Sequence, residues 1–96
     1  MYGTVARMRL KPGAEAQMAD LMRQYETLNI PGQRMTYVYR MDNDPNMVMM
    51  AVIFDDKASY IANANSPEQN ARYQQMVALL EGPPEWHDGE IVYPVG

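Results

Sequence analysis

The chain has no cysteine, one histidine, one tryptophan and one phenylalanine in its 96 residues. The absence of cysteine removes disulfides, thiolate metal sites, iron–sulfur clusters and cysteine nucleophiles. With His87 as the lone imidazole a multi-histidine centre is excluded too; a carboxylate-only site stays open but nothing points to one, and no metal is expected. Basic residues are scarce. Eight Lys and Arg stand against twelve Asp and Glu, for a net charge of −4. Binding to nucleic acid rests on Lys and Arg neutralising phosphates, so no nucleic-acid partner is expected. No apolar run approaches the roughly 20 residues of a membrane helix. Met1-Tyr2-Gly3-Thr4 lacks the basic and apolar regions of a signal peptide. The expectation is a soluble cytoplasmic protein with no membrane partner. No Ser/His/Asp order, Gly-rich phosphate loop or metal motif is present.

What the chain does have is 47% hydrophobic residues, ten methionines and seven tyrosines. The length predicts a single domain over residues 1–96. A chain of this size buries roughly 60–65% of the surface that its unfolded form exposes. Its core is therefore thin, and a buried dimer face would help it. Methionine suits both irregular cores and adaptable apolar surfaces, so the methionines read as core and dimer interface or as a plastic pocket for a flat ligand.

Alternation predicts a strand over Tyr2 to Leu10, with Thr4, Ala6, Met8 and Leu10 on one face and Val5, Arg7 and Arg9 on the other. Met18, Leu21, Met22, Tyr25 and Leu28 recur at spacings of three and four, which predicts a helix over Ala14 to Leu28. A second strand, Gln33 to Asp42, places Met35, Tyr37, Tyr39 and Met41 on one face and Arg34, Thr36, Val38 and Arg40 on the other. After an Asn43-Asp44-Pro45-Asn46 turn, a third strand over Met47 to Phe54 is apolar on both sides, as a centrally placed strand covered on both faces would be. Asp55 and Asp56 read as caps of a short helix from Lys57 to Ala64. Ser66-Pro67-Glu68-Gln69 starts another, running to Leu80. Trp86 to Val95 reads as a last strand, kinked near Asp88-Gly89. The order β-α-β-β-α-β predicts an α+β, ferredoxin-like fold, a four-stranded antiparallel sheet with its helices on one face. The other face needs a cover, and a second copy of the chain is the simplest one.

The chain resembles the antibiotic biosynthesis monooxygenase family of dimeric α/β-barrel proteins over nearly its whole length. Val5-Ala6-Arg7-Met8-Arg9-Leu10-Lys11-Pro12-Gly13, Pro31-Gly32 and Tyr39-Arg40-Met41-Asp42 carry the resemblance. Asp44-Pro45-Asn46, Phe54-Asp55-Asp56, Asn65-Ser66-Pro67 and Gly82-Pro83-Pro84 continue it. The resemblance implies a homodimeric barrel with a cleft in each subunit between sheet and helices. It also implies cofactor-independent oxygenation of a small aromatic quinol or polyol, the protein supplying a dry pocket, orientation and proton acceptors. Haem degraders of the family use an Asn on strand one, a Trp in the second helical region and an axial His, where this chain has Ala6, Asn63 and Tyr73. Many relatives carry a His, a Trp and a Glu where Asn63, Phe54 and Val52 stand.

His87 is the one side chain whose ordinary pKa lies near neutrality, and reads either as a base or as an edge-strand surface histidine. Tyr37 and Tyr39 share a face and either bracket a flat ring or stabilise the sheet through cross-strand pairs. Tyr60 and Asn63, three apart on a helix, offer a hydroxyl and an amide to a ligand or simply pack. Tyr73 comes from the same helical region and is the second candidate catalytic residue beside His87. Arg7, Arg9, Arg34 and Arg40 read as rim ion pairs or as contacts to an acidic substrate. An enzyme of this kind takes up oxygen without metal or flavin. The alternative is a non-enzymatic ligand-binding or interaction protein on the same dimeric scaffold, and a related isomerase or lyase also fits the barrel. An RNA-recognition domain shares the element order, but the third strand lacks its basic and aromatic signature.

Overall fold

Alternating burial along the first strand sets the architecture. In the computed structural model, which describes residues 1–94, β1 (Tyr2–Arg9) buries Thr4, Ala6 and Met8 and exposes Val5, Arg7 and Arg9. It lies between β3 (Met47–Phe54) and β4 (Glu85–Glu90), and β2 (Gln33–Arg40) pairs with the far side of β3. The strand order is β2-β3-β1-β4, antiparallel throughout, the ferredoxin-like arrangement. Among the described residues three helices accompany it: α1 (Glu15–Glu26), α2 (Lys57–Ala64) and α3 (Pro67–Val77). No helix among the described residues is long and apolar enough to cross a membrane.

The core forms between one sheet face and the helices. Ala6, Met8, Val48 and Met50 from the sheet meet Met18 and Leu21 of α1 and Met76 of α3, with Leu10 and Leu80 closing one end. Burying each Leu or Met side chain contributes about 1.5–3 kcal/mol. Asp56 and Ser66 cap the second and third helices as their positions predict. Asp56 accepts the Ser59 N–H at 2.8 Å, and Ser66 accepts the Gln69 N–H at 3.0 Å. Asp55 instead pairs with Arg34.

The elements end earlier than their sequence patterns. Thr27 caps α1 through N–H contacts to Gln24 and Tyr25, ahead of Pro31. Leu80 leaves the third helix to bridge Leu10, with Lys11 donating to the Leu79 carbonyl at 2.8 Å. β4 stops at Glu90, opposite Tyr2, and just beyond it the Ile91 N–H donates to the Met1 carbonyl at 2.9 Å. The expected end of that strand at Val95 lies outside the described residues.

Candidate binding cleft

Cross-strand partners in an antiparallel sheet point to the same side, so each transverse row belongs to one face. Thr36, Val52, Thr4 and Asp88 form one row, and Val38, Met50, Ala6 and Trp86 the next. Both rows face the helices. Tyr37, Ala51, Val5 and His87 form the intervening row, flanked by Tyr39, Met49, Arg7 and Glu85. These lie on the opposite face, which no element among the described residues covers, so the expected two-sided cover of β3 is met on one side among them.

The register divides the sequence-predicted site residues into two groups. Tyr60, Asn63 and Tyr73 line a cleft of about 480 Å³ between helices and sheet. Tyr37, Tyr39 and His87 stand on the open face, Tyr37 and His87 at opposite ends of one row, three strand spacings or roughly 14 Å apart. Tyr37 and Tyr39 are about half exposed. The His87 Nε2 lies 3.3 Å from Glu85, both side chains being well exposed. Asp88, one residue along β4, points to the other side and enters the cleft.

The cap at Asp56 starts α2 so that Tyr60 falls over the β1 end of the sheet. Its ring meets Phe54 edge-on at 5.5 Å and Tyr2 at 5.3 Å, and its hydroxyl donates to Asp88 Oδ1 at 2.9 Å. Partial burial, then the hydrogen bond to Asp88, push the Tyr60 pKa up to about 12. The Thr4 hydroxyl acts the other way on Tyr60, although its approach falls short of hydrogen-bond geometry and leaves Thr4 Oγ1 buried without a partner. Tyr73 lies 6.1 Å from Trp86, and the two rings form an aromatic wall. Gln33 Nε2 donates to Thr36 Oγ1 at 2.7 Å on the far side. Gly32, at φ +81°, lets the chain turn beneath Ser59, where a Cβ would come within 2.5 Å of that side chain.

A larger groove of about 710 Å³ adjoins the cleft between α1 and β2 and shares Met22, Tyr25, Ile30, Gln33 and Thr36 with it. Two of its arginines are engaged elsewhere, Arg23 with Asp20 and Arg34 with Asp55. The smaller cleft has the convergent polar groups, Tyr60, Asp88, Thr4 and Thr36, against an apolar and aromatic lining, which is the chemistry of a small-molecule site. Sequence reasoning singled out neither Thr4 nor Asp88 as a ligand contact. The strand alternation of Thr4 held the signal for one, and the β1–β4 register was needed for the other. Arg9 pairs with Asp44 at 2.6 Å, and that contact holds the Asp44 carboxyl below its usual range. Among the described residues, no three His, Cys, Asp or Glu side chains are grouped to hold a metal ion.

This architecture is an α+β, ferredoxin-like sheet with a cleft of about 480 Å³ under its helices. The family model for antibiotic biosynthesis monooxygenase matches residues 1–75, and the chain belongs to that family. Solved structures share the fold. A protein from Nitrosomonas europaea, provisionally named an antibiotic biosynthesis monooxygenase, superposes with a TM-score of 0.83 at 13% identity, over 99% of this chain and 93% of its own. A second Nitrosomonas europaea protein, of unknown function, is 24% identical, with a TM-score of 0.76 over 99% of this chain and 95% of its own. A Mycobacterium tuberculosis protein gives a TM-score of 0.80 at 15% identity, over 99% and 98% of the two chains. A comparison with curated proteins finds no match. Asn63, Phe54 and Val52 all line the cleft.

Proposed function

We propose that the protein is a cofactor-independent monooxygenase acting on a small aromatic quinol or polyol bound in the 480 Å³ cleft. The observation that carries this reading is the Tyr60–Asp88 pair set beside an aromatic wall. Tyr60, its pKa pushed up to about 12, stays a neutral phenol whose proton is committed to Asp88. Its oxygen therefore accepts a proton from a ring hydroxyl while Asp88 takes the phenol's own, so no free tyrosinate forms. The electron-rich ring anion then passes electrons to dioxygen, and a ring carbon bonds to one oxygen atom and loses its hydrogen. The O–O bond breaks, the second oxygen leaves as water on a proton returned through Tyr60, and the ring ends at the quinone level. One dioxygen is consumed per ring and no external reductant enters. Tyr73 and Trp86 hold the ring plane, and Asn63 offers an amide to its edge.

The proton acceptor in this reading is Asp88 rather than His87, which is on the other face of the sheet. That face supports a homodimer, because Tyr37, Ala51 and Val5 form an apolar surface of the kind that marks an interaction site. One observation favours the second reading, a ligand-binding protein without turnover. The cleft has no imidazole, since the chain's single histidine is elsewhere.

Oxygen uptake by the purified protein across reduced quinols and anthrones separates the two readings. Under the proposal, uptake exceeds the spontaneous rate. Asp88→Asn and Tyr60→Phe each lower it about a hundredfold, the scale of general-base catalysis, and His87→Ala leaves it within twofold of the parent. Saturable binding with no uptake above the spontaneous rate contradicts the oxygenase and supports the binding protein.

A further inference from the structure

Among the described residues, Thr4 is the buried polar side chain that the hydrogen-bond network leaves without a partner. It is 5% exposed, and its Oγ1 is buried without a hydrogen-bond partner. A buried hydroxyl left unpaired destabilises a fold, so its retention at the floor of a ligand-sized cleft needs a reason. Its surroundings supply one. Thr4 is beside Asp88 in the transverse row, and its hydroxyl is near enough to the Tyr60 hydroxyl to influence it. Across Val52 in the same row stands Thr36. Gln33 already donates to the Thr36 oxygen, which leaves the Thr36 O–H free to donate into the cleft.

We propose that Thr4 and Thr36 are a specificity-determining pair that holds two oxygens on opposite corners of one ring lying over Val52. This rests on the reading of the cleft as an aromatic-ring site and names the substrate class as 1,4-dioxygenated. Thr4 and Thr36 are two strand spacings apart, about 9.6 Å. A hydrogen bond of about 2.8 Å at each end leaves roughly 4–6 Å between the ligand oxygens. That suits 1,4-oxygens on a single six-membered ring and is too short for oxygens at the far ends of a linear three-ring system. The arrangement also sets the direction of binding. The hydroxyl at the Thr4 end lies by Tyr60 and Asp88 and gives up its proton, and the oxygen at the Thr36 end accepts a hydrogen bond.

Calorimetric titration with 1,4-dihydroxynaphthalene under nitrogen tests the pair, with 1-naphthol as the one-oxygen probe. Thr4→Val and Thr36→Val each weaken binding of the dihydroxy ring about fivefold to tenfold. One of the two substitutions leaves 1-naphthol binding unchanged. Thr4→Ser retains the hydroxyl and keeps the parent affinity within twofold. Thr4→Val melts at or above the parent temperature, since it removes an unpaired buried hydroxyl and keeps the side-chain shape. Parent-like affinity for the dihydroxy ring in both valine variants overturns the pair while leaving the ring pocket standing, and so does a lowered melting temperature for Thr4→Val with affinity intact. No binding of either probe by the parent protein overturns the ring-pocket reading and the pair together.

Discussion

Tyr60 answers to three neighbours at once. Its ring packs on Phe54 and Tyr2, its hydroxyl donates to Asp88, and partial burial, foremost among the causes, pushes its pKa up to about 12. The ordinary phenol value is about 10. Between those values the folded state keeps a proton that the unfolded chain has released, so stability falls as pH rises. The contribution is fully present below about pH 10 and is lost as pH passes through the folded value. Tyr25, also raised chiefly by burial, acts in the same direction. Differential scanning calorimetry is expected to show a shallower fall in Tm between about pH 10 and 12 for Tyr60→Phe than for the parent. Equal slopes contradict the assignment of the raised phenol to this site. At this scale the sequence was partly legible. Tyr60 and Asn63 are visible as one helix face because three residues separate them. His87 attracts notice by residue type, but type says nothing about which side of a strand a residue occupies. A single step along β4 exchanges an exposed imidazole beside Glu85 for a carboxylate bonded to Tyr60.

Among the elements, those with local signals follow their sequence closely. The Thr4, Ala6, Met8 and Leu10 alternation is the buried face of β1, and Asp56 and Ser66 cap the helices that they precede. Features that depend on distant partners were hidden. The register between β2 and β3 shifts between Gln33 and Met35, so Gln33 stays on the cleft side with Thr36 and can reach its hydroxyl. No local pattern announces that shift, because it arises where β2 meets Phe54 and Ile53 of β3. The same holds for the third helix. Its apolar spacing runs on to Leu80, but Leu80 is used to bridge Leu10, and the helix yields to that tertiary contact.

For the whole molecule, the sheet separates two jobs. One face builds the core and the cleft, and the other presents Tyr37, Tyr39, Met49, Ala51 and Val5 to the outside. A chain this short gains little from its own core, so burial of the open face against a second copy, as proposed, would stabilise both. Ala51 sits at the centre of that face between Tyr37 and Val5. Ala51→Glu would bury an unpaired carboxylate there, at a cost of several kcal/mol. Sedimentation velocity is then expected to find a dimer for the parent and a monomer for the variant, and a variant that remains dimeric places the interface elsewhere.

The methionines allow the central claim, that ligands enter the helix-side cleft, to be tested by one spectrum. Met22, Met50 and Met76 line the cleft, while Met47 and Met49 alternate with Met50 onto the open face or its rim. With ¹³C-methyl methionine and 1,4-dihydroxynaphthalene added under nitrogen, the account predicts ring-current shifts at Met22, Met50 and Met76 and unmoved signals from Met47 and Met49. Shifts at Met47 and Met49 with the cleft trio unmoved would place the ligand on the open sheet face and contradict it.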